Sequence, residues 1–257
     1  MELVDLFPDG EHRFHLTLRR VEPREYFAPQ DASGAVLAER KRWLAAEPAR
    51  HAALTAEGEP LLAEFAGMAA KWGANERSLV GLGGALEPDI LFLSPDAEGR
   101  FRLRGGALCF PTGWALQEKI GETLDWIHGV VAGLNAALGA PIPQFLARRQ
   151  PGVAVLRDNW GLAATDELNL HPARRIAPPT PPVALDRLWL RVEHQALMAL
   201  PETRGIVFGI RIALHRLDAL AGTSAGAGLR RALESMPAEL AVYKRLDAVR
   251  GEIATQL

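Results

Sequence analysis

The sequence predicts an α+β fold, an antiparallel sheet with helices packed on one side and around the ends. Three observations predict it: Ala- and Leu-rich amphipathic segments come first, mainly consecutive short apolar runs follow, and a helical tail closes the chain. Helices and strands do not alternate as a doubly wound parallel sheet requires. The chain has 257 residues, 48% hydrophobic and 23% charged, enough to bury a large core. The expected organisation is one domain over residues 1–257, with a helical N-terminal part at 1–75, a sheet core at 76–220 and a helical tail at 221–257.

Each element has a local reason. Residues 12 to 18 alternate apolar and polar, which predicts a short strand before the turn at Pro23 to Tyr26. Asp31 to Ala46 and Pro60 to Trp72 carry apolar stripes with charges opposite, the pattern of two amphipathic helices. Asp89 to Ser94, Arg100 to Arg104 and Ala107 to Phe110 read as hairpin strands, with Pro95-Asp96 and Gly105-Gly106 as punctuation. Leu116, Ile120, Leu124, Ile127 and Val131 recur at three- and four-residue spacing on one helical stripe, with Gly121 as a candidate break. Val153 to Asn159 is a strand candidate, and the proline-dense Pro172 to Pro182 an extended connection. Leu188 to Leu197 and Ile206 to Leu217 alternate around the turn Pro201 to Gly205 and predict a long central hairpin. The Gly-rich stretch from Gly222 to Gly228 leads into helical segments at Leu229 to Met236 and Pro237 to Gln256.

Composition excludes several functions. Lys plus Arg number 29 against 31 Asp plus Glu, and a net charge of −2 offers no general attraction to nucleic acid or anionic lipid. A single cysteine, Cys109, rules out an internal disulfide or a Cys-rich metal cluster built from this chain alone. Met1-Glu2-Leu3-Val4-Asp5 is acidic where a signal peptide is basic, and no apolar run approaches the ~20 residues that span a bilayer, so a cytoplasmic, membrane-free protein is expected.

Six segments carry a resemblance: Glu87-Pro88-Asp89-Ile90-Leu91-Phe92-Leu93; Cys109-Phe110-Pro111-Thr112-Gly113-Trp114; Glu118-Lys119-Ile120-Gly121 with Ile127-His128; Arg157-Asp158-Asn159-Trp160; Leu190 to Leu197 with Leu200-Pro201; and Phe208-Gly209-Ile210-Arg211. In order and spacing they resemble the haem subunit of the haem-dependent oxidative N-demethylases, over most of residues 1 to 220. The sequence departs from that pattern at Gly129 to Ala132, where the family has Pro-Val-Pro, at His194 to Leu197, where it has Arg-Gln-Thr-Leu, and at Ile212-Ala213, where it has Thr-Tyr. The resemblance implies a PAS-like antiparallel sheet cradling haem b and its iron. It implies dioxygen-dependent oxidative N-demethylation of a small methylated amine, a monooxygenase-type reaction that releases formaldehyde. Electrons would come from a separate NADPH-dependent reductase carrying FMN and an iron–sulfur cluster. The alternative is a non-catalytic haem-binding sensor or carrier.

Haem iron needs an axial donor, commonly a neutral imidazole. On the residues alone, His128 after Trp126-Ile127 is as readily a helix-terminal or core histidine; the resemblance points to it as the ligand. His194, on the strand face of Leu190 and Val192, is the alternative ligand, while His171 and His215 suit structural roles. Cys109 in an apolar run reads as a small buried hydrophobe. Arg191 and Arg211 are candidates to grip a haem propionate, and Glu193 to hold a cationic methylamine, against the plainer reading of an Arg–Glu pair on a solvated sheet face. Trp114 and Trp160 are candidate cavity walls or ordinary core aromatics. Lys119 reads as a solvated charge or a contact to a propionate, and Gly81-Leu82-Gly83-Gly84 lacks the Lys-Ser/Thr of a phosphate loop.

Overall fold

The computed structural model of the chain describes residues 2–7, 12, 18–131, 133–138 and 141–257. Seven strands, β1 (Arg19–Val21), β2 (Ala52–Leu54), β3 (Asp89–Pro95), β4 (Phe101–Ala107), β5 (Ala154–Ala163), β6 (Trp189–Ala199) and β7 (Ile206–Arg216), form one sheet. Its order is β1-β5-β6-β7-β3-β4-β2, with every neighbouring pair antiparallel. The expected α+β fold is observed. The longest alternation makes the longest ladder: β6 and β7 pair from Trp189↔Arg216 to Ala199↔Ile206, and β6 also pairs with β5 from Ala163↔Trp189 to Ala154↔Met198.

Helices α1 (Pro23–Phe27), α2 (Ala35–Ala46), α3 (Pro48–His51), α4 (Glu59–Ala70) and α5 (Leu79–Ala85) precede β3. Between β4 and β5 lie α6 (Leu124–His128), α7 (Leu134–Leu138) and α8 (Pro141–Ala147), and after β7 come α9 (Ser224–Ser235), α10 (Ala238–Tyr243) and α11 (Arg250–Gln256). The two-residue period of a strand divides β6 cleanly. Ala196 and Met198 join Ile90, Phe92 and Val207 on one face, packed against Leu61, Phe65, Ala66 and Ala69 of α4. Toward the other end of that face, Leu190, Val192 and Trp160 pack against Leu229, Leu233, Leu240 and Ile253 of the C-terminal helices. On the second face, Leu91, Leu93, Leu103, Leu197 and Ile210 meet Leu124 and Ile127 of α6 and Ile142 and Phe145 of α8. Full burial of a side chain such as Phe65 or Phe92, each 0% exposed, contributes about 1.5–3 kcal/mol.

Several local expectations are corrected. Residues 13–17 of the predicted first strand lie outside the described residues; β1 begins just after them and, with β2, gives the sheet two short edges drawn from residues before 76. Gly105-Gly106 does not separate two strands, because β4 runs through both glycines to Ala107. They are glycines because neighbouring strands crowd them: a Cβ on Gly106 would meet the Ile90 carbonyl and one on Gly105 the Leu54 side chain. The stripe from Leu116 to Val131 is not one helix. A 3₁₀ turn at Leu116–Glu118 ends, Gly121 takes φ +83°, and its N–H donates to Leu103 O (2.7 Å), tying the break to β4. Thr123 then caps α6 by accepting from Trp126 N (3.3 Å). The C-terminal Gly-rich stretch enters α9 at Ser224, where Gly228 lets the helix approach Phe7 closely. No helix among the described residues is long and apolar enough to cross a membrane.

Candidate functional site

The second face of the sheet does not close against α6–α8. Between them lies a cavity of about 1030 Å³, at the upper end of the ~300–1,000 Å³ usual for ligand pockets. Leu93, Leu103, Leu197, Phe208 and Ile210 form its sheet wall, and Leu124, Ile127, Leu134 and Phe145 its helical wall. Beyond Leu156 the outer edge of β5 has no strand partner among the described residues, and there Trp160, Tyr243 and Lys244 carry the lining round to the end of α10.

Polar groups enter this apolar space at a few points. Glu193, half-buried on β6, accepts from the Thr112 hydroxyl at Oε1 (2.6 Å) and from Asn159 Nδ2 (3.2 Å) and Gln195 Nε2 (2.7 Å) at Oε2. None of these donors is charged. Thr112 in turn accepts from Arg191 Nε (2.9 Å), so the hydroxyl proton is directed at the carboxylate. His128 stands in the last turn of α6 and lines the cavity, and its imidazole makes no hydrogen bond to a described residue. Burial, and then the nearby Arg157 guanidinium, lower its pKa below the usual histidine value, so the neutral imidazole dominates at pH 7. Arg157 points from β5 into the same space, and its buried Nε has no partner among the described residues. Lys244 Nζ donates to Trp160 O (2.6 Å) and lies 5.2 Å from the Trp160 ring centroid. Burial pulls its pKa down to about 8, against the opposing attraction of Glu193.

Of the candidates read from the sequence, His128, Glu193, Trp114, Trp160 and Lys119 line the cavity, Lys119 with its Nζ 4.8 Å from the Trp126 ring centroid. Arg191, Arg211 and His194 do not. Arg191 is 1% exposed and spends its donors on Phe110 O (2.8 Å), Leu168 O (2.7 Å) and Thr112, clamping the loop behind Glu193. Arg211 lies on the opposite face, bound to Ala28 O (2.8 Å), Tyr26 O and Glu87. His194 shares that face and its Nδ1 bonds Asp158. Cys109 is fully buried, away from the cavity, with its thiol pushed up to about 12 by burial. Gly81 to Gly84 lie inside α5, where Gly83 allows close packing on Ala107. Two cations, Arg157 and Lys244, are additions. Strand alternation with Val155 and Asn159 could have placed Arg157 on the second face, whereas nothing local to Lys244 signals its position.

The model of the family described as haem-dependent oxidative N-demethylase, alpha subunit-like, matches residues 37–254. The chain belongs to that family. Its name carries haem dependence, and the residues present fit such a group. A haem presents a large apolar macrocycle, an iron open to a nitrogen donor, and two carboxylates. The cavity offers apolar walls, a neutral unbonded imidazole, and three cations, Lys119, Arg157 and Lys244, that have no carboxylate within ion-pair distance among the described residues. Among the described residues no group of three or more His, Cys, Asp or Glu could hold a metal ion.

Proposed function

We propose that the cavity holds haem b with His128 as its axial donor, and that the chain carries out oxidative N-demethylation of a small methylated amine. The observation that carries this reading is the free, neutral imidazole of His128 facing an apolar cavity of haem-sized volume in a chain of this family. When bound, the haem supplies the dioxygen-dependent oxidation of the N-methyl group. His128 is held for ligation by the Thr123-capped α6 and by packing beside Ile127. Glu193 would receive the protonated amine: its three neutral donors fix the carboxylate without forming an ion pair, so an ammonium entering the cavity gains a charge-assisted hydrogen bond. Trp114 and Trp160 would limit the volume beside it. Electrons would come from a separate NADPH-dependent reductase with FMN and an iron–sulfur cluster, since one buried cysteine cannot hold a cluster. The single buried thiol accords with a cytoplasmic setting. The central strand order β4-β3-β7-β6-β5 supports the PAS-like, one-domain reading.

The test is an absorption spectrum of protein produced with haem precursor, for the wild type and His128→Ala. A Soret band that shifts or disappears in the variant is expected, together with formaldehyde release from di- or trimethylamine by the reduced wild type. A band unchanged by the substitution would move the ligand away from His128. Haem binding without amine turnover would leave a sensor or carrier.

A further inference from the structure

We propose that Lys244 and Arg157 form a carboxylate-binding pair on the cavity wall made by β5 and the end of α10. The proposal rests on the haem-site reading above and deepens it. An ammonium has three protons to donate, and Lys244 spends one on the Trp160 carbonyl. Arg157 keeps a buried Nε–H with no acceptor among the described residues. Both side chains line one cavity, and both are attracted by Glu193 without forming an ion pair to it. Two half-buried cations with unused donors in an apolar cavity are costly unless an anion joins them. Carboxylate is the fitting anion: an arginine fork takes it in the plane and a lysine caps the other oxygen, or each takes one carboxylate of a pair. Asp158 of the lining is engaged with His194 and Arg19. The carboxylate has two possible sources, the propionates of haem or the acid group of an N-methylated amino acid substrate.

The experiment has two arms on the full chain. In the first, protein produced without haem is titrated with haem and with haem dimethyl ester, whose propionates are blocked, and the Soret band is followed. In the second, haem-loaded protein is titrated with dimethylamine and with N-methylglycine, and the spectral shift gives each affinity. The variants are Lys244→Met, Lys244→Arg and Arg157→Met. If the pair grips propionates, the wild type prefers haem over its ester, and the preference falls at least tenfold in Lys244→Met and Arg157→Met and returns in Lys244→Arg. If it grips a substrate acid, the same loss and rescue appear in the preference for N-methylglycine. A general loss of packing would weaken both members of each comparison together and leave the ratios alone. Ratios unmoved in both arms, with a normal Soret band, overturn the pair and leave the haem site standing. A wild type without any Soret band overturns both.

Discussion

At the residue scale the most constrained group in the cavity is the Thr112 hydroxyl. It accepts from Arg191 Nε at 2.9 Å and therefore gives its own proton to Glu193 Oε1 at 2.6 Å. A fully buried guanidinium thus orients a carboxylate it does not touch. Glu193→Gln keeps the shape of the side chain and removes its charge. A hydrogen bond to a charged group contributes about 1.5–3 kcal/mol, so the variant is expected to bind a methylammonium about tenfold to 100-fold more weakly, read as a spectral titration of the haem-loaded protein. Thr112→Val removes one of three donors to Glu193 and leaves Arg191 Nε without its acceptor. Amine affinity and stability should fall together, and Thr112→Ser should restore both. If Thr112→Val binds amine as the wild type does, Glu193 is fixed by Asn159 and Gln195 alone.

At the element scale, what was legible followed from periodicity. The β6–β7 hairpin and α4 stand close to where alternation and amphipathic spacing put them, because each buries a regular stripe against a neighbour, whereas α2, also close to its expected place, buries only Arg40 and Leu44. Glycine misled the reading in both directions. Gly105 and Gly106 looked like a turn, yet they lie inside β4 because β2 and β3 press on them, a tertiary cause that no local window contains. Gly226 and Gly228 were expected to precede the helix at Leu229 and are helical, the latter to admit Phe7, which meets Trp160 edge-on at 5.3 Å. Gly121, by contrast, was a fair signal: its positive φ ends the 3₁₀ turn and lets α6 start afresh with His128 in its last turn. Gly106→Ala tests the crowding. The added methyl would press on the Ile90 carbonyl, a backbone atom that cannot swing aside, and overpacking of this kind costs about 1–3 kcal/mol. A urea midpoint equal to the wild type's would show that β3 and β4 separate easily and that the glycines serve another purpose.

At the scale of the whole molecule, the site draws on segments far apart in sequence. His128 and Glu193 were visible beforehand because each stands in a recognisable segment. Lys244 was not, since only the packing of α10 beside β5 brings it next to Trp160. That placement has a thermodynamic consequence in the haem-free protein. Burial lowers the Lys244 pKa to about 8, while an unfolded lysine titrates near ~10.4. Between those values the unfolded chain holds the extra proton, so this group makes stability rise as pH increases from about 8. Cys109 acts in the opposite sense, its thiol being pushed up to about 12 by burial, and so does Tyr243 beside Lys244, whose phenol burial and Glu193 both raise. Those groups remain when Lys244 becomes Met, so the difference between the two proteins isolates the lysine. Urea unfolding of haem-free wild type and Lys244→Met between pH 7 and 9.5 should give curves that diverge, the wild type gaining stability relative to the variant as pH rises. Haem binding should flatten the wild-type trend if propionates lie against the ammonium, because a bound carboxylate favours its charged form. Parallel curves would mean that the Lys244 ammonium is solvated in the folded chain, and the cavity would then have one cation fewer to offer a ligand.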